Sequence, residues 1–181
     1  MYNGRDYLAE AIDSILGQTF TDFEFLMLDD GSSDGSDEVL DEYERRDPRV
    51  RILRRPGGGN RGLTASLNEL LAEARGRLTA RMDGDDICLP NRLERQVGEL
   101  DADEECTCLG SGVILIDSTG RETGIDEIPL LHERISKQLM QGRGGVLRHP
   151  TMLARTQGLR DVGGYDERYR TAQDLDLYLR Q

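Results

Sequence analysis

The apolar positions of the chain fall into short blocks whose spacing switches between helical and strand-like. Tyr7, Leu8, Ala11, Ile12, Ile15 and Leu16 recur at three- and four-residue intervals, which predicts an amphipathic helix over about 5–16 that Gly17 can end. Phe23-Glu24-Phe25-Leu26-Met27-Leu28 reads as a mostly buried strand running into the polar turn Asp29-Asp30-Gly31-Ser32-Ser33-Asp34-Gly35. Ser36 is then placed to cap a helix carrying Val39, Leu40 and Tyr43, with Asp37 and Glu38 in its positive first turn. Val50 to Leu53 is a second short strand. The glycine-rich loop 56–62 leads into a helix with Leu63, Leu67, Leu70, Leu71 and Ala74 on one face. Leu78 to Met82 is a third strand, ending in Asp83-Gly84-Asp85-Asp86.

This α-β-α-β-α-β order predicts a parallel sheet covered by helices, in which ligands bind at the carboxyl ends of the strands. Both acidic turns fall there. Further along, the pattern predicts a helix over 90–100, a strand over 109–116 with a turn at 117–120, and a helix over 128–140. A strand over 151–154 and a helix from Gln173 onward complete the reading. There is no internal repeat and no linker, so one domain is expected over 1–181. No apolar strand precedes the first helix and the last helix is still running at Gln181, so both ends read as cut.

Composition narrows the function classes. The 181 residues carry 35 acidic and 23 basic side chains, a formal charge of −12, which argues against nucleic acid as the main partner. No apolar run is long enough to span a bilayer, and the first residues lack the apolar core of a signal peptide. Three cysteines in a Cys88…Cys106-x-Cys108 pattern fit neither a disulfide framework nor a zinc template, and read as reduced thiols.

The chemistry concentrates in carboxylates. Asp83-x-Asp85, with Asp86 beside it, offers hard oxygen ligands on a turn, suited to Mg²⁺ or Mn²⁺ with open positions for a diphosphate. Turn chemistry alone favours a solvated loop; the buried strand before it moves the balance toward a site. Asp30, Ser32, Asp34, Gly35 and Asp41 partly fit a calcium-binding loop, but a strand precedes them and Asp41 replaces the final glutamate, so that reading is set aside. No GxxxxGK[ST] loop supports phosphoryl transfer.

Taken in order, Tyr2-Asn3 with Tyr7-Leu8, Ile12 and 14–20, Phe23-Glu24 through Asp29-Asp30-Gly31-Ser32, Asn60-Arg61-Gly62-Leu63 with Leu67-Asn68, and Ala80 to Asp86 resemble family 2 glycosyltransferases. Pro90-Asn91-Arg92-Leu93 with Gln96, His149-Pro150-Thr151, Gly163 to Glu167, and Gln173 to Leu177 continue the resemblance over nearly the whole chain. It implies a GT-A fold: a three-layer α/β sandwich with a mostly parallel central sheet. A Rossmann-like nucleotide-sugar-binding half would cover 1–100 and an acceptor and catalytic half, incomplete, 101–181. The family's first strand survives only as Tyr2-Asn3.

The resemblance further implies inverting transfer from a nucleotide-diphospho-sugar, a uridine one in the first instance, with a divalent cation. By motif position Asp30 would contact the nucleobase, Asp83 the ribose or metal shell, and Asp85 the metal and diphosphate. Tyr2, Asn3, Asn60 and Arg92 would complete the nucleotide-sugar set, Arg61 being a second candidate phosphate contact. Asp174 takes the position of the general base, although the usual acidic pair is Gln173-Asp174 here. His149 would orient an acceptor or a phosphate, or is structural. Asp176 reads as helix surface, Leu177 and Tyr178 as packing, and glycines 57–62 as a mobile cover over the nucleotide or an ordinary loose connection. Expected partners are the donor and a hydroxyl on a glycan, lipid-linked sugar or protein in cell-envelope polysaccharide synthesis. The expected location is the cytoplasm or the cytoplasmic face of the membrane, with peripheral association. The competing reading is a cut fragment that binds nucleotide and metal without turning over.

Overall fold

The computed structural model describes residues 1–55 and 59–181. Helix α1 (Arg5–Leu16) and helix α2 (Ser36–Arg46) cover one face of the parallel pair β1 (Phe25–Leu28) and β2 (Val50–Leu53). The predicted periodicity is realised as packing: Leu8 and Ile12 of α1 and Leu40 and Tyr43 of α2 close on Met27, Val50 and Ile52. Ile12 and Leu40 are 1% exposed, and each such side chain contributes roughly 1.5–3 kcal/mol of burial. Ser36 does not cap α2. Gly35 takes the cap position at φ +87°, and Asp34 instead accepts from the Ser36 N–H (3.1 Å) and hydroxyl (2.6 Å).

Beside β1, Met1 holds the place of a further parallel strand for one residue. Its amine donates to the Leu28 carbonyl (2.7 Å), and its carbonyl accepts from the Asp30 N–H (2.8 Å). The predicted third strand, β3 (Leu78–Ala80), does not join this pair. It runs antiparallel to β7 (Leu153–Arg155), which is flanked on its other side by β4 (Cys108–Leu109). The sheet is thus parallel only between β1 and β2 among the described residues.

The strand expected over 109–116 is two strands. Gly112 lies so close to the Asp126 carbonyl that a Cβ would meet it at 3.0 Å, and the chain turns there into a separate hairpin, β5 (Val113–Ile116) with β6 (Glu122–Asp126). The helix expected from Ile128 begins at His132 (α5, His132–Met140), after an extended Leu131. α3 (Leu63–Glu73), α4 (Arg92–Ala102), α6 (Thr156–Asp161) and α7 (Gln173–Arg180) complete the fold. α6 was not foreseen. Leu71, Leu139, Val146, Leu147, Met152, Leu159, Tyr165, Leu177 and Tyr178 form the second core.

At several helix ends, arginines from elsewhere in the chain donate to the last carbonyls. Arg49 donates to the Leu16 carbonyl of α1 (3.1 Å), and Arg160 to Leu71 and Ala74 at the end of α3 (2.9 and 2.6 Å). Arg155 reaches Leu100 and Asp103 at the end of α4 (2.8 and 3.0 Å), and Arg180 reaches Val162 and Gly164 after α6 (2.5 and 2.8 Å). Each supplies donors and positive charge to carbonyls at or just after a helix end. The three cysteines are free, Cys88 buried and the other two half-buried.

His149 lies in the second core at 7% exposure, and burial followed by the Arg81 charge pushes its imidazole down to about 3 from 6.5. Its neutral form is therefore the folded form. Stability is fully present above about pH 6.5 and is lost as pH falls toward 3, the unfolded chain binding the extra proton. Urea unfolding across that window is expected to show a slope near one proton that disappears in His149→Gln. Gly164, at φ +69°, has Asn68 Oδ1 only 2.8 Å from where a Cβ would stand. Gly164→Ala is expected to cost about 1–3 kcal/mol in the same measurement, since it combines a left-handed strain with the loss of the Asn68 clamp on Tyr165.

Candidate functional site

Two acid-bearing turns approach each other at the carboxyl ends of β1 and β3. Met1 lies between them: its backbone pairs with the Leu28–Asp30 segment, and its Cβ is 3.5 Å from the position a Gly84 side chain would take. Gly84 is the x of Asp83-x-Asp85.

Asp30 is almost completely buried, at 4% exposure, and is held by three segments of the chain, at Met1, Arg55 and 61–62. Its carboxylate accepts from the backbone N–H of Arg61 (2.9 Å) and of Gly62 (2.8 Å), and pairs with the buried guanidinium of Arg55. Burial raises its affinity for a proton, but those two N–H groups and Arg55 outweigh this and hold it below the ordinary carboxylate value. Arg55 also bonds Glu69 (2.8 Å) and Ser66 (3.0 Å). Gly31 beside it is at φ +86°, with the Asn60 nitrogen 3.1 Å from a virtual Cβ, so only glycine lets segment 59–62 close on the turn.

Asn3 and Tyr2 sit at the rim of this turn. The Asn3 N–H donates to the Ser32 hydroxyl (2.8 Å), and its side-chain oxygen accepts from the Ser33 N–H (2.9 Å). Tyr2 is 56% exposed. Asn60 is exposed, and so is Arg61, whose guanidinium reaches Glu69 (2.9 Å). Of the predicted glycine cover, Gly57 and Gly58 lie outside the described residues, whereas Gly62 donates its N–H to Asp30.

The second turn is organised by Arg81. Its guanidinium, on a residue only 7% exposed, pairs with both oxygens of Asp83, one contact at 2.7 Å, and its Nε is buried without a partner among the described residues. Its backbone N–H extends the β3–β7 pairing onto Met152 (2.8 Å). Arg92 donates to the Arg81 carbonyl (2.8 Å), to Gln96 (3.0 Å) and to the Cys88 sulfur (3.0 Å), so it braces the turn from below. Asp86 is half-buried; desolvation, then the charges of Asp83 and Asp85, raise its proton affinity. Asp85 is exposed and has no hydrogen-bond or ion-pair partner among the described residues.

No group of three or more His, Cys, Asp or Glu that could hold a metal is assembled among the described residues. The donor set nonetheless fits Mg²⁺ or Mn²⁺: these ions accept one or two carboxylates and take their remaining oxygens from phosphate and water. Asp85 is free for that role and Asp83 stands two residues away, held by Arg81.

Asp174 lies in the first turn of α7, half-buried, with its Oδ1 accepting from the Leu175 N–H (2.9 Å). The preceding Ala172 is at φ +60°, a left-handed conformation costly for alanine. One helical turn on from Asp174, Tyr178 meets the His149 ring edge-on, and Tyr165 meets the same ring, so the three form one cluster. Asp176 pairs with Arg180 (2.6 Å), while Leu177 and Tyr178 are buried, as predicted. His149 sits inside the cluster, with Nε2 2.8 Å from the Tyr165 hydroxyl. Sequence reasoning named Asp30 and Asp83 but neither of their cations. The available signals were Arg54-Arg55 at the end of a strand and an arginine in the third strand where an apolar residue was expected.

The description "Glycosyl transferase family 2" matches residues 1–162. The chain is similar to "Putative glycosyltransferase EpsE" of Bacillus subtilis (strain 168), 33% identical over 183 residues, covering 99% of this chain and 63% of that protein. Among solved structures it resembles TarS 1–349 of S. aureus in complex with UDP, with TM-score 0.74, 23% identity, and coverage of 99% of this chain and 53% of that one. It also resembles the mannosyltransferase PcManGT of Pyrobaculum calidifontis in complex with GDP-Man and Mn²⁺, with TM-score 0.73 and 17% identity over 98% of this chain and 48% of that one. The chain thus spans about three-fifths of EpsE and about half of each solved chain. These likenesses agree with the α/β GT-A architecture expected from the motif order. On the match over 1–162, the chain belongs to glycosyl transferase family 2.

Proposed function

We propose that the chain carries the donor site and the base of an inverting glycosyltransferase acting on a uridine diphosphate-sugar. The observation that carries this reading is the approach of the Asp30 and Asp83–Asp86 turns across Met1, with Asp85 exposed and unpaired among the described residues. The UDP complex of TarS supports the choice of nucleotide, and the Mn²⁺ complex of PcManGT the choice of ion.

In this reading the uracil and ribose lie over the Asp30 turn, between Tyr2 and Asn3 on one side and Asn60 on the other. Arg92 acts on the donor side by bracing the Asp83–Asp86 turn. Asp85, with Asp83 alongside, would hold the divalent cation, which when bound would supply positive charge against the diphosphate. Asp174 accepts the proton of the acceptor hydroxyl as its oxygen bonds to the anomeric carbon. The bond from that carbon to the diphosphate breaks on the opposite face, its electron pair leaves with UDP, and the configuration inverts. His149 supports the acceptor side from within the core.

The acceptor is a hydroxyl on a glycan, a lipid-linked sugar or a protein in cell-envelope polysaccharide synthesis, met in the cytoplasm or at the membrane's cytoplasmic face. No helix among the described residues is long and apolar enough to cross a membrane.

Calorimetry with UDP is expected to give binding that requires Mn²⁺ and is lost in Asp85→Ala; binding that ignores the ion would overturn the donor-site reading. Asp174→Asn is expected to lower donor turnover by about 10²–10⁴-fold while UDP binding persists. Wild-type binding without any turnover would instead favour a nucleotide- and metal-binding module.

A further inference from the structure

Beneath Asp174 lies a buried polar group to which the reaction assigns no direct step. His149 opens a short 3-10 turn, His149–Thr151, and bonds the Tyr165 hydroxyl at 2.8 Å. The Tyr165 ring meets the imidazole edge-on with centroids 5.5 Å apart, and Tyr178 closes on it at 6.4 Å and 83°. Tyr165 is clamped from the opposite direction, its N–H donating to Asn68 Oδ1 (2.9 Å) and its carbonyl accepting from Asn68 Nδ2 (2.8 Å). Tyr178 follows Asp174 by one helical turn and so shares its face of α7. Its buried hydroxyl has no partner among the described residues, so it is held by ring packing alone.

An eight-residue helix is marginal in isolation and takes its orientation from what it packs on. α7 enters from a strained Ala172 and places Leu177, fully buried, and Tyr178 on this layer. Arg180 ties the far end of α7 to the Val162 and Gly164 carbonyls (2.5 and 2.8 Å), which leaves its first turn to be seated by this layer. A hydrogen bond between two buried rings fixes one arrangement, because breaking it leaves two polar atoms unpaired.

We propose that His149 and Tyr165 are positioning residues: their hydrogen bond fixes the ring layer on which Tyr178 packs, and so sets the rotation of α7 that aims Asp174. The inference rests on the reading of Asp174 as the base, and its test separates the two. Tyr165→Phe, His149→Phe, His149→Gln and Asp174→Asn are compared with the parent chain. The readouts are UDP-GlcNAc turnover with Mn²⁺, UDP affinity by calorimetry, and titration of the Asp174 carboxyl carbon by NMR. Tyr165→Phe and His149→Phe are expected to lower kcat by about ten- to a hundredfold, the scale of a misplaced reacting group. KM and UDP affinity should stay within about twofold, and the Asp174 titration should move. His149→Gln, which keeps a polar group near Nε2, should restore most of kcat and the parent titration.

Folded Phe variants with parental kcat and an unmoved Asp174 titration would overturn the inference while leaving the base intact. Asp174→Asn with undiminished turnover would remove the base itself. If no turnover is measurable, the carboxyl titration alone decides: unmoved, it refutes the positioning role.

Discussion

One buried cation organises the acidic turn that follows the third strand. Arg81 reaches the end of a strand with its side chain in the interior, where an unpaired guanidinium would be prohibitive. Asp83 answers that charge, the Arg81 carbonyl takes a bond from Arg92, and its N–H continues the ladder onto Met152. The Asp83–Asp86 turn is therefore pinned at its first acid and open at Asp85. Burial keeps the His149 imidazole neutral in the folded protein, and the same charge adds to that effect. Without it, a chain of charge −12 would bring several carboxylates together at one strand end with nothing to hold them.

The carboxylates of the site differ less in chemistry than in what each already holds. Asp30 is saturated with two backbone N–H groups and Arg55, which makes it a rigid part of the turn. Asp83 is paired, and Asp86 is pushed toward its protonated form by burial and its neighbours. Asp85 alone of that turn faces water without a partner among the described residues. Asp174 stands apart on a separate helix, accepting from the Leu175 N–H and making no ion pair among the described residues. A site able to bind an anion beside acids needs this division, because adjacent free carboxylates would repel both the ligand and one another.

Much of this was legible in the residues. The 3.6-residue spacing of Leu8, Ile12 and Ile15, and the apolar block ending at Leu28, fixed the first helix and strand because local burial decides both. The acidic turns were legible from their place after strands. What was not legible depended on contacts distant in sequence. β7 lies antiparallel between β3 and β4, a pairing that no local pattern encodes. The break at Gly110-Ser111-Gly112 becomes visible only once Asp126 is known to lie against Gly112. His149 was open between acceptor and core roles because its partner, Tyr165, is 16 residues away. Arg55 and Arg81 were missed because an arginine in or after a strand reads as exposed until its acid is found.

The arginines that close the helix ends carry a consequence for how the chain assembles. Arg160 reaches back 86 and 89 residues to the end of α3, and Arg155 reaches back 55 and 52 to that of α4. These ends are satisfied only after remote segments have met, so the helices cannot mature one at a time from the ribosome outward. High contact order of this kind slows folding and makes it cooperative. The ends of α3 and α4 stay without these donors until residues 155–160 have been made.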